Sequence, residues 1–175
     1  MITIDKTTLD KLLSLAGIKS RLKKELRFTA SAQRVGSDDW QNQELVAVTD
    51  RAGNAGVLLL QPEDDLYVLE YIISKGVSDK KTGRYKPIIC GFCNTWQPGD
   101  NAAIITFNKT RQISVGYMCC ADLACSDHVR SSTKEALRSR TQLREDLGDE
   151  ERIERLKSNL RGLINNLNLS PLDIL

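Results

Sequence analysis

Apolar residues first recur at helical spacing over residues 5–16, at Leu9, Leu12, Leu13 and Ala16, with Gly17 as the stop. A second short helix is predicted over residues 20–28, where Leu22 and Leu26 stand four apart. Residues 29–43 read as polar loop, with Gly36, Ser37, Asp38 and Asp39, and Trp40 within it is expected to pack into the core. Residues 44–49 and 56–61 are β-forming runs on either side of Asp50-Arg51-Ala52-Gly53-Asn54, so they predict a hairpin. Pro62-Glu63-Asp64-Asp65 suits a helix start, and Leu66, Leu69, Ile72 and Ile73 follow at helical spacing. Val68, Tyr71 and Ile72 favour a strand over the same stretch, and the pattern alone leaves both open.

Residues 75–87 are rich in Lys, Arg, Gly and Pro and read as a linker. They divide the chain into an N-terminal region, 1–80, and a C-terminal region, 81–175. In the second region, residues 103–107 and 112–115 predict two strands joined by a turn at 108–110. Residues 133–147 are rich in helix formers, Gly148 breaks the run, and Asp149 can cap the next helix. That last helix carries the clearest apolar stripe of the chain: Ile153, Leu156, Leu160, Leu163, Ile164 and Leu167. Two heptads are short for a coiled coil, so the stripe is expected to pack onto the body of the protein. The fold class is therefore α+β.

Two Trp, four Tyr and three Phe leave a core that must be mostly aliphatic. A net charge of +2, with 27% charged residues, does not mark a dedicated nucleic-acid binder. The basic run over residues 19–27, with Glu25 as its only acid, reads as a solvated helix face, the alternative being a contact for an acidic partner or RNA phosphate. There is no apolar run of about 18 residues to span a membrane and no basic-then-apolar leader at Met1-Ile2-Thr3-Ile4-Asp5. The expectation is a cytoplasmic protein, in which five cysteines are metal ligands or buried thiols before they are disulfides.

The candidate chemistry sits in a module spanning residues 88–132. Cys90-Gly91-Phe92-Cys93 places two thiolates on one tight turn, and Cys120-Ala121-Asp122-Leu123-Ala124-Cys125 supplies a second pair. Zinc takes four sulfurs tetrahedrally at about 2.3 Å. The predicted strands lie between the pairs, and the second pair falls where a short helix should begin, around residues 123–131. Knuckle, hairpin and ligand pair at a helix entry, in that order, make a treble-clef zinc finger with a structural Zn2+. A redox reading of Cys90 and Cys93 needs neither the second pair nor the hairpin. Cys119 adjoins Cys120 and is expected to be a buried small residue. His128 could replace Cys125 as ligand or act as a base, but with four thiols at hand it is expected on a helix surface. Asp122 is expected to have a local capping or hydrogen-bonding role at the helix entry. No nucleophile–base pair, phosphate loop or carboxylate dyad is evident, so the chain is not expected to be an enzyme.

Cys90-x-x-Cys93, Ser114-Val115-Gly116, residues 120–126, Val129-Arg130 and the terminal Arg152–Leu160 stretch together resemble the C-terminal treble-clef domain of the elongation factor G-binding proteins, a family that includes bacterial fusidic-acid-resistance proteins. The resemblance is specific over roughly residues 88–165, whereas the N-terminal half matches in layout alone. It implies zinc on Cys90, Cys93, Cys120 and Cys125, and binding rather than catalysis: association with the translocase at the ribosome and promotion of its release. An aromatic often stands two residues before the third ligand in the family, and here that position is Met118, next to Tyr117. Candidate partner contacts are Phe92, Tyr117, Met118, Arg111 and Arg130. The alternative is an RNA- or ribosome-binding zinc module without elongation factor G specificity.

Overall fold

The computed structural model describes residues 6–26 and 43–172. Most of the loop expected at 29–43, Trp40 included, lies outside them. Helix α1 (Lys6–Leu15) buries Leu9, Leu12 and Leu13, and Gly17 ends it with φ +67°, a conformation that costs glycine little. Helix α2 (Ser20–Glu25) is a single exposed turn and a half, carrying an Arg21–Glu25 ion pair at 3.2 Å.

The predicted hairpin is present as β1 (Leu45–Thr49) and β2 (Ala55–Leu60), with Val48 opposite Val57. Gly56 is required here, because a Cβ at this position would lie 2.3 Å from the Val48 carbonyl oxygen. The helix considered over residues 62–73 is not formed. Tyr67–Lys75 is instead strand β3, whose Tyr67–Ile72 stretch pairs with β2. Alternation decided it: Leu69, Tyr71 and Ile73 point to one buried face, which a helix could not arrange on a sheet.

Strand β3 continues the sheet across the boundary drawn at residue 80. Ile72, Ile73, Ser74 and Lys75 pair with Thr106, Ile105, Ile104 and Ala103 of β6 (Ala102–Asn108), and β6 pairs with β7 (Ser114–Cys120). The result is one antiparallel sheet in the order β1-β2-β3-β6-β7. Residues 76–101 are inserted between adjacent strands of it and contain the small hairpin β4 (Ile88–Ile89) and β5 (Trp96–Gln97). Three helices complete the chain: α3 (Cys125–Val129), α4 (Lys134–Leu143) and α5 (Asp149–Leu167).

The two sheet faces carry separate apolar clusters. On one, α1 covers β1 and β2 through Leu9, Leu12, Leu13, Val46, Val48, Val57 and Leu59. On the other, Leu58, Tyr71, Ile105 and Phe107 meet the cysteine module and the α5 stripe of Leu156, Leu160, Leu163, Ile164 and Leu167. The stripe packs onto the body as expected, with Ile153 half-buried at its rim. Gly148, not Asp149, is the N-cap of α5, and the Glu151 carboxylate accepts from the Gly148 N–H at 2.9 Å. The Asp149 carboxylate instead accepts from Ser131 Oγ and Arg140 Nη2.

Candidate metal centre

The first two cysteines are shaped by the β4–β5 turn. The Cys90 N–H donates to Thr95 O and the Asn94 N–H to Cys90 O, while Asn94 takes φ +55° to close the knuckle. The Gly91 N–H donates to Met118 O at 2.8 Å, which clips the knuckle to the edge of β7. That clip carries Cys90 and Cys93 to the end of β7, where Cys120 stands. Leu123, at φ +54°, then turns the chain so that Cys125 becomes the first residue of α3.

All four cysteines are fully buried, and their sulfurs lie within 4.8 Å of one another. Cys93 Sγ and Cys120 Sγ are 3.6 Å apart, Cys90 and Cys125 3.8 Å, and Cys120 and Cys125 4.0 Å. Sulfurs at the corners of a tetrahedron around zinc stand about 3.8 Å apart. The thiols are free, and a buried set of four soft donors at this spacing fits Zn2+ and offers no open position for substrate.

The electrostatics point the same way. Burial disfavours a thiolate at Cys90, yet hydrogen bonds from Cys120, Cys125 and Cys93 outweigh it and hold that thiol well below its ordinary range. Burial pushes Cys120 well up, and at Cys125 the hydrogen bond with Cys120 does so foremost. A dication bound here would replace the protons of the four thiols. Cys119 is buried outside the converging set, and burial pushes its thiol up, as expected of an inert cysteine.

A hydrogen-bonded frame surrounds the sulfurs. Cys93 Sγ contacts Thr95 Oγ1 at 2.9 Å, Gln97 Nε2 donates to Thr95 Oγ1, Asn101 Nδ2 donates to Gln97 Oε1, and the Asn101 amide also reaches Asp122 Oδ2. Asp122 accepts from the N–H of Ala124, the N-cap residue of α3, and so has the hydrogen-bonding role expected of it at the helix entry without capping the helix itself. His128 is not a surface residue. It is 1% exposed, with Nδ1 2.6 Å from Thr133 Oγ1 and Nε2 3.3 Å from Asp122 Oδ1, and a ring nitrogen lies within 4.8 Å of Cys120 Sγ. Its partners lie on either side of α3 in sequence, and the pattern of the chain gave no sign of them. Such outer partners orient metal ligands.

Two side chains from α5 lock the centre. Asn159 Nδ2 donates to Phe92 O at 2.7 Å and contacts Asn94 Oδ1. Arg152, wholly buried, donates to His128 O and Ser131 Oγ and so closes the C-terminal end of α3, with Glu145 and Asp149 as its counter-charges.

The sequence of the family described as FBP C-terminal treble-clef zinc-finger matches residues 15–167. The chain belongs to this family. No curated protein and no solved structure matches it. The family match starts at residue 15, far ahead of residue 88, so α2 and the β1–β2 hairpin lie within what the FBP zinc-finger family shares, whereas α1 ends where the match begins. The one sheet that runs through both halves gives the physical reason.

Of the candidate contact residues in this FBP-family chain, Phe92 is 1% exposed and packs against Phe107 and Tyr117, so it fills the core instead of the surface. Tyr117 is half-buried, its hydroxyl accepting from Asn166 Nδ2 at 2.8 Å. Arg130 is spent within the fold, donating to Glu44 Oε1 at 2.6 Å and Oε2 at 2.9 Å. Met118 and Arg111 remain exposed.

Proposed function

We propose that this protein is a zinc-stabilised binding protein that associates with elongation factor G at the ribosome and promotes its release, and that it performs no catalysis of its own. The observation that carries the reading is the closed four-cysteine centre within a chain matched by the FBP zinc-finger family over most of its length. A closed thiolate site stabilises shape and leaves recognition to the surface.

The surface we assign to the contact is the half of the outer sheet face that α1 leaves uncovered. Ile104 lies directly opposite Met118, and Ile72 stands beside them on β3. All three are exposed, at 40%, 49% and 57%. Exposed aliphatic side chains on adjacent rigid strands, with Arg111 on the following turn, supply an anchor patch with a basic rim. Met118 takes the place of the aromatic that the resemblance leads one to expect, and its thioether adapts to irregular apolar partners.

Calorimetry with purified elongation factor G tests this. The expected result is a one-to-one complex that Met118→Asp or Ile104→Asp weakens at least tenfold, with zinc content unchanged. No heat of binding at tens of micromolar would contradict it. No helix among the described residues is long and apolar enough to cross a membrane.

A further inference from the structure

We infer that the hairpin at residues 75–86 is a binding site for single-stranded nucleic acid, with Tyr85 as a stacking platform and Lys80, Lys81 and Arg84 as phosphate contacts. The inference does not depend on the elongation factor reading.

The segment is ordered by its own hydrogen bonds. The Asp79 N–H donates to Arg84 O, the Gly83 N–H to Asp79 O, and the Lys86 N–H to Val77 O, while Ser78 bridges Tyr85. Asp79 Oδ1 accepts from the N–H groups of Lys81 and Thr82, and its other oxygen pairs with Lys86 at 2.5 Å. The only acid of the segment is thereby consumed in holding the tip.

Its cations are left over. Several arginines elsewhere are neutralised within the fold: Arg21 by Glu25, Arg130 by Glu44, Arg155 by Glu145, and Arg161 by Glu63 and Glu154. Among the described residues, Lys80, Lys81 and Arg84 enter no ion pair, and all three are exposed. The segment holds five cations and one acid, although the whole chain is only +2. Five cations against one acid make this tip strongly positive.

Beside it stands Tyr85, 64% exposed. Two glycines hold its base. A Cβ at Gly76, where φ is +80°, would lie 2.5 Å from Tyr85 Cε1, and one at Gly99 would lie 2.7 Å from Tyr85 Cβ. No other residue type fits either place, so the ring is seated closely yet largely open to solvent. A held aromatic ring next to unpaired cations is the pairing that single strands need, since every base presents a π-face and every phosphate a charge. A single strand uses the cations and the ring together, phosphates on the former and a base on the latter.

The experiment uses the zinc-loaded full chain and labelled oligouridylate of about 12 nucleotides, read by fluorescence anisotropy. An oligothymidylate arm separates RNA from DNA as the source, and binding of either supports the site. Binding is expected to weaken from about 50 to 200 mM salt, and the K80A/K81A/R84A variant is expected to lower the slope of log K against log salt by about 2. Tyr85→Ala should weaken binding roughly 5- to 150-fold while Tyr85→Phe keeps it. A K23A/K24A variant in α2 should bind as the parent does. No binding at low salt, an unchanged slope in the triple variant, or equal loss in Tyr85→Phe and Tyr85→Ala would overturn the proposal. So would a triple variant that loses elongation factor G while the parent ignores both oligonucleotides.

Discussion

The two faces of the five-stranded sheet are built by different physics. Under α1 the cluster is aliphatic and closed by helix packing alone. On the opposite face, apolar side chains share the space with four thiols, a buried arginine and a frame of amides and hydroxyls. The first kind of core tolerates exchange of one apolar residue for another of similar volume. The second depends on specific polar partners and on a metal, so its failures should be larger and more selective. The difference shows why a protein of this size can carry a small aliphatic core and still present a rigid surface: the metal fixes the half that packing alone would leave loose.

Removal of zinc is the largest way to test that contrast. A structural zinc supplies about 10–16 kcal/mol, as much as the whole stability of a typical domain. Chelation is expected to abolish hydrogen-exchange protection first in β4, β5, β7 and α3, and last in α1, β1 and β2. Simultaneous loss on both faces would erase the distinction. Next comes Arg152→Ala, which takes the buried donor from the His128 carbonyl and one of the two arginines paired with Glu145, and should cost about 3–5 kcal/mol in urea unfolding.

Leu12→Ala and Leu160→Ala should each cost about 2–5 kcal/mol, because both side chains are fully buried. Only Leu160→Ala should also weaken zinc in competition with a chromophoric chelator, since the neighbouring Asn159 holds the knuckle. The smallest effect concerns pH. Burial pushes Tyr71 up to about 12, opposed by its hydrogen bond with Thr49. A raised folded value means that its contribution is complete below pH 10 and is lost as pH rises from 10 toward 12, by about 2–3 kcal/mol. Tyr71→Phe should remove that part of the alkaline loss in parallel unfolding curves.

The elements set by local pattern were legible in the sequence. The spacing of Leu9, Leu12 and Leu13, the turn at Asp50–Asn54, the α5 stripe and the two cysteine pairs each carry their signal within a few residues. Strand β3 was ambiguous because Leu66, Leu69, Ile72 and Ile73 satisfy a helical period while Leu69, Tyr71 and Ile73 satisfy an alternating one. Pairing with β2 and with β6, the latter distant in sequence, settled it. The support of the metal centre was illegible for the same reason. Thr95, Gln97, Asn101, Asp122 and His128 join across three elements, and Asn159 arrives from α5. Phe92 and Arg130 were offered as surface contacts because nothing local reveals that Phe107 and Glu44 lie against them.

X-ray absorption at the zinc edge on the natively purified protein reads the coordination itself. One zinc per chain, bound by four sulfurs at about 2.3 Å, is the predicted result. A folded protein that holds no zinc, or one whose metal carries a nitrogen ligand in place of a sulfur, would contradict the account.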